Sequence, residues 1–181
     1  GELEKAAELA AAVARAGGDA VIVQDVGLAR LIREVAPTLP VHASTQMTIT
    51  APGAIELVRE LGISRVILAR ELSLEAIAAI AGQGIPVEVF VHGALCISYS
   101  GQCLASLNLG GRSANRGECA QPCRLPYRLF VDGKPVGDER REYLLSPRDL
   151  SAVDFIRQMA DAGVAAFKIE GRLKSAEYVA G

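Results

Sequence analysis

Short runs rich in β-branched residues alternate with amphipathic stretches along this chain. Residues 20–24 (AVIVQ), 41–44 (VHAS), 65–69 (RVILA), 87–92 (VEVFVH) and 165–169 (AAFKI) read as strands bounded by Gly, Pro or Asp. Between them, apolar residues recur at helical spacing over 27–35, 52–61, 74–81 and 152–162, after an Ala-rich amphipathic helix over 3–16. Ser73 is placed to cap the helix that follows it, and Pro40 and Pro86 stop the connections ahead of two strands. The order "apolar helix, Gly, short strand" recurs at 16–20, 61–63 and 162–164, as at the αβ junctions of a parallel α/β fold.

Such alternation builds either an open doubly wound sheet or a (β/α)8 barrel. The polar residues decide between them. Gln24-Asp25, Ser44-Thr45-Gln46, Arg70-Glu71, His92 and the set Lys168, Glu170, Arg172 all stand at C-terminal strand ends, where barrels place their chemistry. The expected fold class is α/β: a partial TIM-like (β/α) barrel with a cysteine-rich insertion and a β-hairpin excursion. Five strands are fewer than a closed barrel needs. Gly1 in place of a start methionine fits an internal piece of a longer protein, with residues 1–181 a fragment of one barrel domain whose first strands are missing. Within it, 93–127 form the four-cysteine insertion and 128–146 the excursion. In that excursion a strand over 127–131 turns at Asp132-Gly133 and returns over 142–145, and the charged run 138–142 (DERRE) is a solvated tip.

All four cysteines, Cys96, Cys103, Cys119 and Cys123, fall inside that insertion with the spacing C-x6-C-x15-C-x3-C. Gly101, Gly110, Gly111 and Gly117 let the backbone turn sharply between them. Four thiolates match the ligand count of an all-cysteine iron–sulfur cluster or of a structural zinc, and the spacing leaves both open. Buried inert thiols are the plainer reading. A disulfide pair is disfavoured, because no secretory leader pattern is visible and intracellular thiols stay reduced.

The same residues carry a resemblance. EVFVHGALC (88–96) followed by G-x-C-x-A-S (101–106) resembles the signature of the peptidase U32 family, the collagenase-like proteases. GGRSANRGECAQPCRLPY (110–127), LLSPRDL (144–150) and FKIEGRLKSAEYVA (167–180) are similar to further blocks of that family, in the same order. Ala105 stands where the signature commonly has Leu or Met, a small change on an apolar position. The resemblance implies that members with all four cysteines bind a 4Fe-4S cluster and take part in oxygen-independent hydroxylation. Known branches modify a tRNA wobble uridine or an rRNA cytidine, with prephenate as the hydroxyl source, and another acts on ubiquinone precursors. The GGRSANRG and CAQPCRLPY wording is closer to the RNA branches. Cytoplasmic location, RNA as partner, a small anionic co-substrate and a possible hetero-partner of the same family follow from it.

Half of the residues are apolar, the net charge is -2 and the pI is near 5.8, an ordinary globular composition with no run long enough for a membrane span. That charge argues against gripping nucleic acid by bulk electrostatics alone. Over 89–131, however, Arg112, Arg116, Arg124 and Arg128 face only Glu118, a local charge of +3. Arg116 and Arg124 are therefore candidates for an anionic co-substrate, since guanidinium takes carboxylate or phosphate in a fork. Lys168, Glu170 and Arg172 alternate along a strand and share one side of it, which makes Lys168 and Arg172 candidate substrate contacts and Glu170 a candidate catalytic group. His92 and Glu88 are the other catalytic candidates; each also reads as a structural residue of its strand, and His42 reads as a core histidine. Neither H-E-x-x-H nor a Ser/His/Asp context is present, and four cysteine ligands would close a zinc to substrate. Three readings follow: RNA hydroxylation at an iron–sulfur cluster, metal-dependent peptidolysis with zinc as the alternative metal, and a non-catalytic cluster-bearing scaffold.

Overall fold

In a computed structural model of the chain, residues 1–137, 142–171 and 174–180 are described. Helices α1 (Glu2–Arg15), α2 (Val26–Val35), α3 (Ala54–Glu60) and α4 (Leu74–Ala81) alternate with strands β1 (Val21–Val23), β2 (Val41–Ala43), β3 (Arg65–Ile67) and β4 (Val87–Gly93). A long connection carrying α5 (Ala105–Gly110) and the hairpin β5 (Leu129–Val131) and β6 (Lys134–Val136) follows β4. Strand β7 (Leu150–Ser151), helix α6 (Ile156–Asp161), strand β8 (Ala166–Ile169) and helix α7 (Ala176–Ala180) complete the order. Strands β1, β2, β3, β4 and β8 are parallel neighbours in that spatial order, and β7 pairs antiparallel with the end of β4. The protein is thus mixed α/β with a parallel sheet.

Local chemistry explains where the elements begin and end. Asp25 accepts a hydrogen bond from the Leu28 N–H at 2.7 Å and Ser73 one from the Ala76 N–H at 3.3 Å, each satisfying a donor that the first helical turn leaves open. At the end of α3 the chain passes through Gly62 at φ +70°, and the Ile63 N–H reaches back to the Val58 carbonyl. That left-handed step is cheap only for glycine, and it turns the chain straight into β3.

One face of the sheet is dry. Val41, Ala43, Val66, Val87 and Val89 are almost fully buried against Ile32, Ile55, Val58, Leu61, Ile77 and Ile80 of the helices. Along β4 burial alternates with the pleat, so Glu88 and Phe90 point the other way. Register puts His42 beside Arg65, and Phe90 beside Lys168, on that second face. Glu88, whose side chain is only 12% exposed, meets Lys168 at 3.0 Å and Arg65 at 3.3 Å there. Enclosed charges persist only when paired, and Glu88 is held by two cations.

The excursion differs from the expected one. Asp132 and Gly133 both have positive φ, the geometry of a two-residue turn that reverses the chain at once. The return strand is therefore Lys134–Val136, not 142–145, although the Tyr127 N–H still donates to the Glu142 carbonyl at 2.6 Å. Most of the charged run 138–142 lies outside the described residues. No helix among the described residues is long and apolar enough to cross a membrane.

Burial, with Arg65 and Lys168 nearby, holds the His42 imidazole below the ordinary histidine value; Glu88 opposes this. A depressed value favours the fold while both states are neutral and is lost as pH falls from about 6.5, where the unfolded histidine takes a proton first. The urea midpoint is expected to fall between about pH 7.5 and about pH 5.5, and His42→Gln to remove part of that fall. An equal fall in the variant would assign the dependence to other groups.

Candidate functional site

The four cysteines reach one place because two strand ends hold the loop that carries them. After β2, a tight turn (Thr45–Met47) is capped by Ser44, and its Gln46 donates from Nε2 to the Ala114 carbonyl at 2.6 Å. Thr48 donates from Oγ1 to the Ser100 carbonyl at 2.9 Å. After β3, the Glu71 carboxylate accepts from the Ser100 N–H at 2.9 Å and from its Oγ at 3.0 Å. Asn115 ties the two halves of the loop, Nδ2 donating to the Gly101 carbonyl at 3.2 Å. Further on, buried Ser106 accepts from the Ala120 N–H at 2.9 Å, which fixes the approach to Cys119.

The result is a cavity of about 340 Å³ lined by Cys96, Cys103, Cys119 and Cys123. All four cysteines are free thiols. Burial pushes the Cys123 thiol up; Arg124 opposes this and the other three cysteines add to it. The Gln121 N–H donates to Cys119 Sγ at 3.3 Å. In number and type these donors fit an iron–sulfur cluster or a zinc, both of which take four thiolates and remove their mutual repulsion. Among the described residues no three His, Cys, Asp or Glu side chains stand close enough to hold a metal ion as placed. The donor set is gathered around the cavity without being closed to coordination distance.

The other expected residues separate into two groups. Lys168, Glu170 and Arg124 line the cavity; Glu88, His92 and Arg116 do not. Arg124 is spent on the backbone, donating to the Leu95 carbonyl at 2.8 Å, Ser146 Oγ at 2.7 Å and the Pro147 carbonyl at 2.6 Å. Arg116 is exposed and forks onto Glu2, which holds the Glu2 carboxyl below its usual range. His92 packs on the Tyr178 ring, with centroids 5.5 Å apart. Arg172 lies outside the described residues.

Arg70 lines the same cavity and was legible only as a polar strand end. Its guanidinium lies over Phe90, 3.7 Å from the ring centroid, and meets Glu170 at 3.3 Å. Burial draws its value down; Glu170, Cys96 and Glu71 offset part of this. Its signal in the sequence was position alone, directly after a buried strand.

Comparison with known proteins adds names to this geometry. The model of peptidase family U32 matches residues 1–181. The chain is 44% identical to a 23S rRNA 5-hydroxycytidine synthase of Escherichia coli (strain K12), the match covering 98% of this chain and 27% of that protein. It is 40% identical to tRNA hydroxylation protein P1 of Bacillus subtilis (strain 168), covering 92% of this chain and 42% of that one. A collagenase of Porphyromonas gingivalis is 39% identical, covering 88% and 41% respectively. The chain therefore spans well under half the length of these relatives. No solved structure matches it.

Gly101 tests the loop anchor. It sits at φ +81°, and a Cβ there would stand 2.5 Å from the Gln46 carbonyl oxygen and 2.7 Å from Thr48 Oγ1. Gly101→Ala is expected to cost about 1–3 kcal/mol and to loosen the loop while the sheet persists. Faster reaction of the thiols with a disulfide reagent, at unchanged far-ultraviolet circular dichroism, is the expected reading. Unchanged thiol rates would mean that the contact does not hold the loop.

Proposed function

Because the chain belongs to peptidase family U32, we propose that the protein carrying it hydroxylates RNA, a tRNA uridine or an rRNA cytidine, in the cavity ringed by its four cysteines. The observation that carries this reading is the convergence of Cys96, Cys103, Cys119 and Cys123 on one cavity beside the C-terminal strand ends, in a chain whose relatives include proteins named for rRNA and tRNA hydroxylation. In this reading the sheet is one wall of a partial TIM-like barrel, its charged second face turned inward and the cavity at its mouth. The protein works in the cytoplasm, alone or with a partner subunit of its family.

Cys96, Cys103, Cys119 and Cys123 would hold a 4Fe-4S cluster, which would supply redox or Lewis-acid chemistry at the cavity. The chain's own residues do the rest. Glu71, Gln46 and Thr48 hold the loop so that the sulfurs face inward, and Arg124 pins Leu95 beside Cys96 to the 146–147 segment. Ile22, Ile67 and Leu95 give the lining an apolar part. A target base would leave its stack to enter it. A small anionic co-substrate such as prephenate would meet the cations of the strand ends.

The collagenase relative supports a second reading, peptidolysis. His42 and His92 accept no hydrogen bond from a serine or cysteine among the described residues, so a histidine-activated nucleophile has no support in this geometry.

Anaerobic purification of the full-length protein is expected to yield about four iron and four sulfide per chain with visible absorption. Replacing Cys119 and Cys123 together with Ala should abolish both, along with the hydroxylated nucleoside that mass spectrometry detects in RNA. Stoichiometric zinc, or peptide cleavage that survives without metal, would overturn the reading.

A further inference from the structure

Among the described residues three cations line the cavity, and two of them are committed. Arg124 donates to three oxygens of the loop and of the 146–147 segment, and Lys168 is held by Glu88 at 3.0 Å. Arg70 differs. Among the described residues a single one of its N–H donors has a protein acceptor, Glu170 Oε2 at 3.3 Å. That is longer than the roughly 2.7–2.9 Å of a tight charge-assisted bond. With its side chain 16% exposed, the guanidinium has lost most of its water without a full set of protein partners in exchange.

Its position is nevertheless fixed. Stacking over Phe90 at 3.7 Å holds the guanidinium plane, so a forked acceptor would meet donors that are already oriented. Cys96 lines the same cavity as Arg70. Ile22, Ile67 and Leu95 also line the cavity and offer apolar surface to a ligand. Glu170, from the residue after β8, is 26% exposed and faces the same space.

We propose that Arg70 is the receptor for a carboxylate on a compact apolar body, and that Glu170 stands in for this group on the guanidinium until the ligand displaces it. The inference rests on the reading of the cysteine cavity as the reaction site and names the residue that seats a co-substrate there. No bond is made or broken in this step. One carboxylate replaces another on the guanidinium. Of the expected anion-binding arginines among the described residues, Arg116 lies away from the cavity and Arg124 is bound to the chain itself.

The test measures benzoate binding to the full-length protein by saturation-transfer NMR, with inorganic phosphate and a short oligonucleotide as parallel probes. Arg70→Ala should weaken benzoate at least about tenfold, and Arg70→Lys should weaken it too, since an ammonium lacks the fork. Glu170→Gln should tighten benzoate when Arg70 is present and leave it unchanged in the Arg70→Ala background, a coupling that general loss of structure cannot produce. Benzoate affinity unchanged from the unmodified protein in Arg70→Ala or in Arg70→Lys, or equal tightening by Glu170→Gln in both backgrounds, would overturn the proposal. Arg70-dependent binding of phosphate or the oligonucleotide without benzoate would overturn it in favour of an RNA phosphate. If Arg70→Ala does not fold, Arg70→Lys and Glu170→Gln decide the matter between them. Iron content and RNA hydroxylation are scored separately, so failure of the hydroxylation reading leaves its own trace.

Discussion

The Glu71 carboxylate takes both polar groups of Ser100, and the position of the cysteine loop depends on that grip. Among the described residues, the connection over 94–149 between β4 and β7 contains one short helix, two single 3-10 turns and an isolated hairpin. Such a segment has little core of its own, so contacts with the scaffold must fix it. Ser100 is 7% exposed, and leaving its N–H without an acceptor would cost about 1–3 kcal/mol. With Glu71 on one side and Gln46 and Thr48 on the other, the loop is tied to two adjacent strand ends, and four thiols separated by up to twenty-seven positions face one cavity.

The charges of the second sheet face fall into two layers. Glu88, Arg65, Lys168 and His42 share the layer near the strand starts, where Glu88 is paired on both sides. Arg70 and Glu170 form the layer at the strand ends, with a looser contact and an aromatic ring beneath. The first layer is satisfied within the chain and reads as structure. The second retains donors toward the cavity, and that difference makes it the place for a ligand. A lysine at position 70 would keep the charge but lose both the plane that stacks on Phe90 and the fork that receives an oxyanion.

Family membership and relatives named for both RNA hydroxylation and collagenase activity leave the chemistry to be read from the site. Four cysteines line one cavity there. The chain spans well under half of those relatives' length.

The alternation of strands and helices, the caps at Asp25 and Ser73, the left-handed glycines at the αβ junctions and the grouping of four cysteines were all legible in the sequence. Each depends on chemistry within a few residues: pleat and helix periods, a side chain reaching its own helix end, a backbone that only glycine adopts cheaply. The hairpin return was misplaced because the immediate reversal at Asp132-Gly133 outweighs the apolar run at 143–145. What the tertiary structure alone decided was which charges are spent. Position after a strand sets Arg70 apart from Arg116 and Arg124, but nothing local tells which of the three is paired. Glu2, the Leu95 carbonyl and Glu170 come to them from distant parts of the chain, and only the fold determines which guanidinium keeps donors to offer.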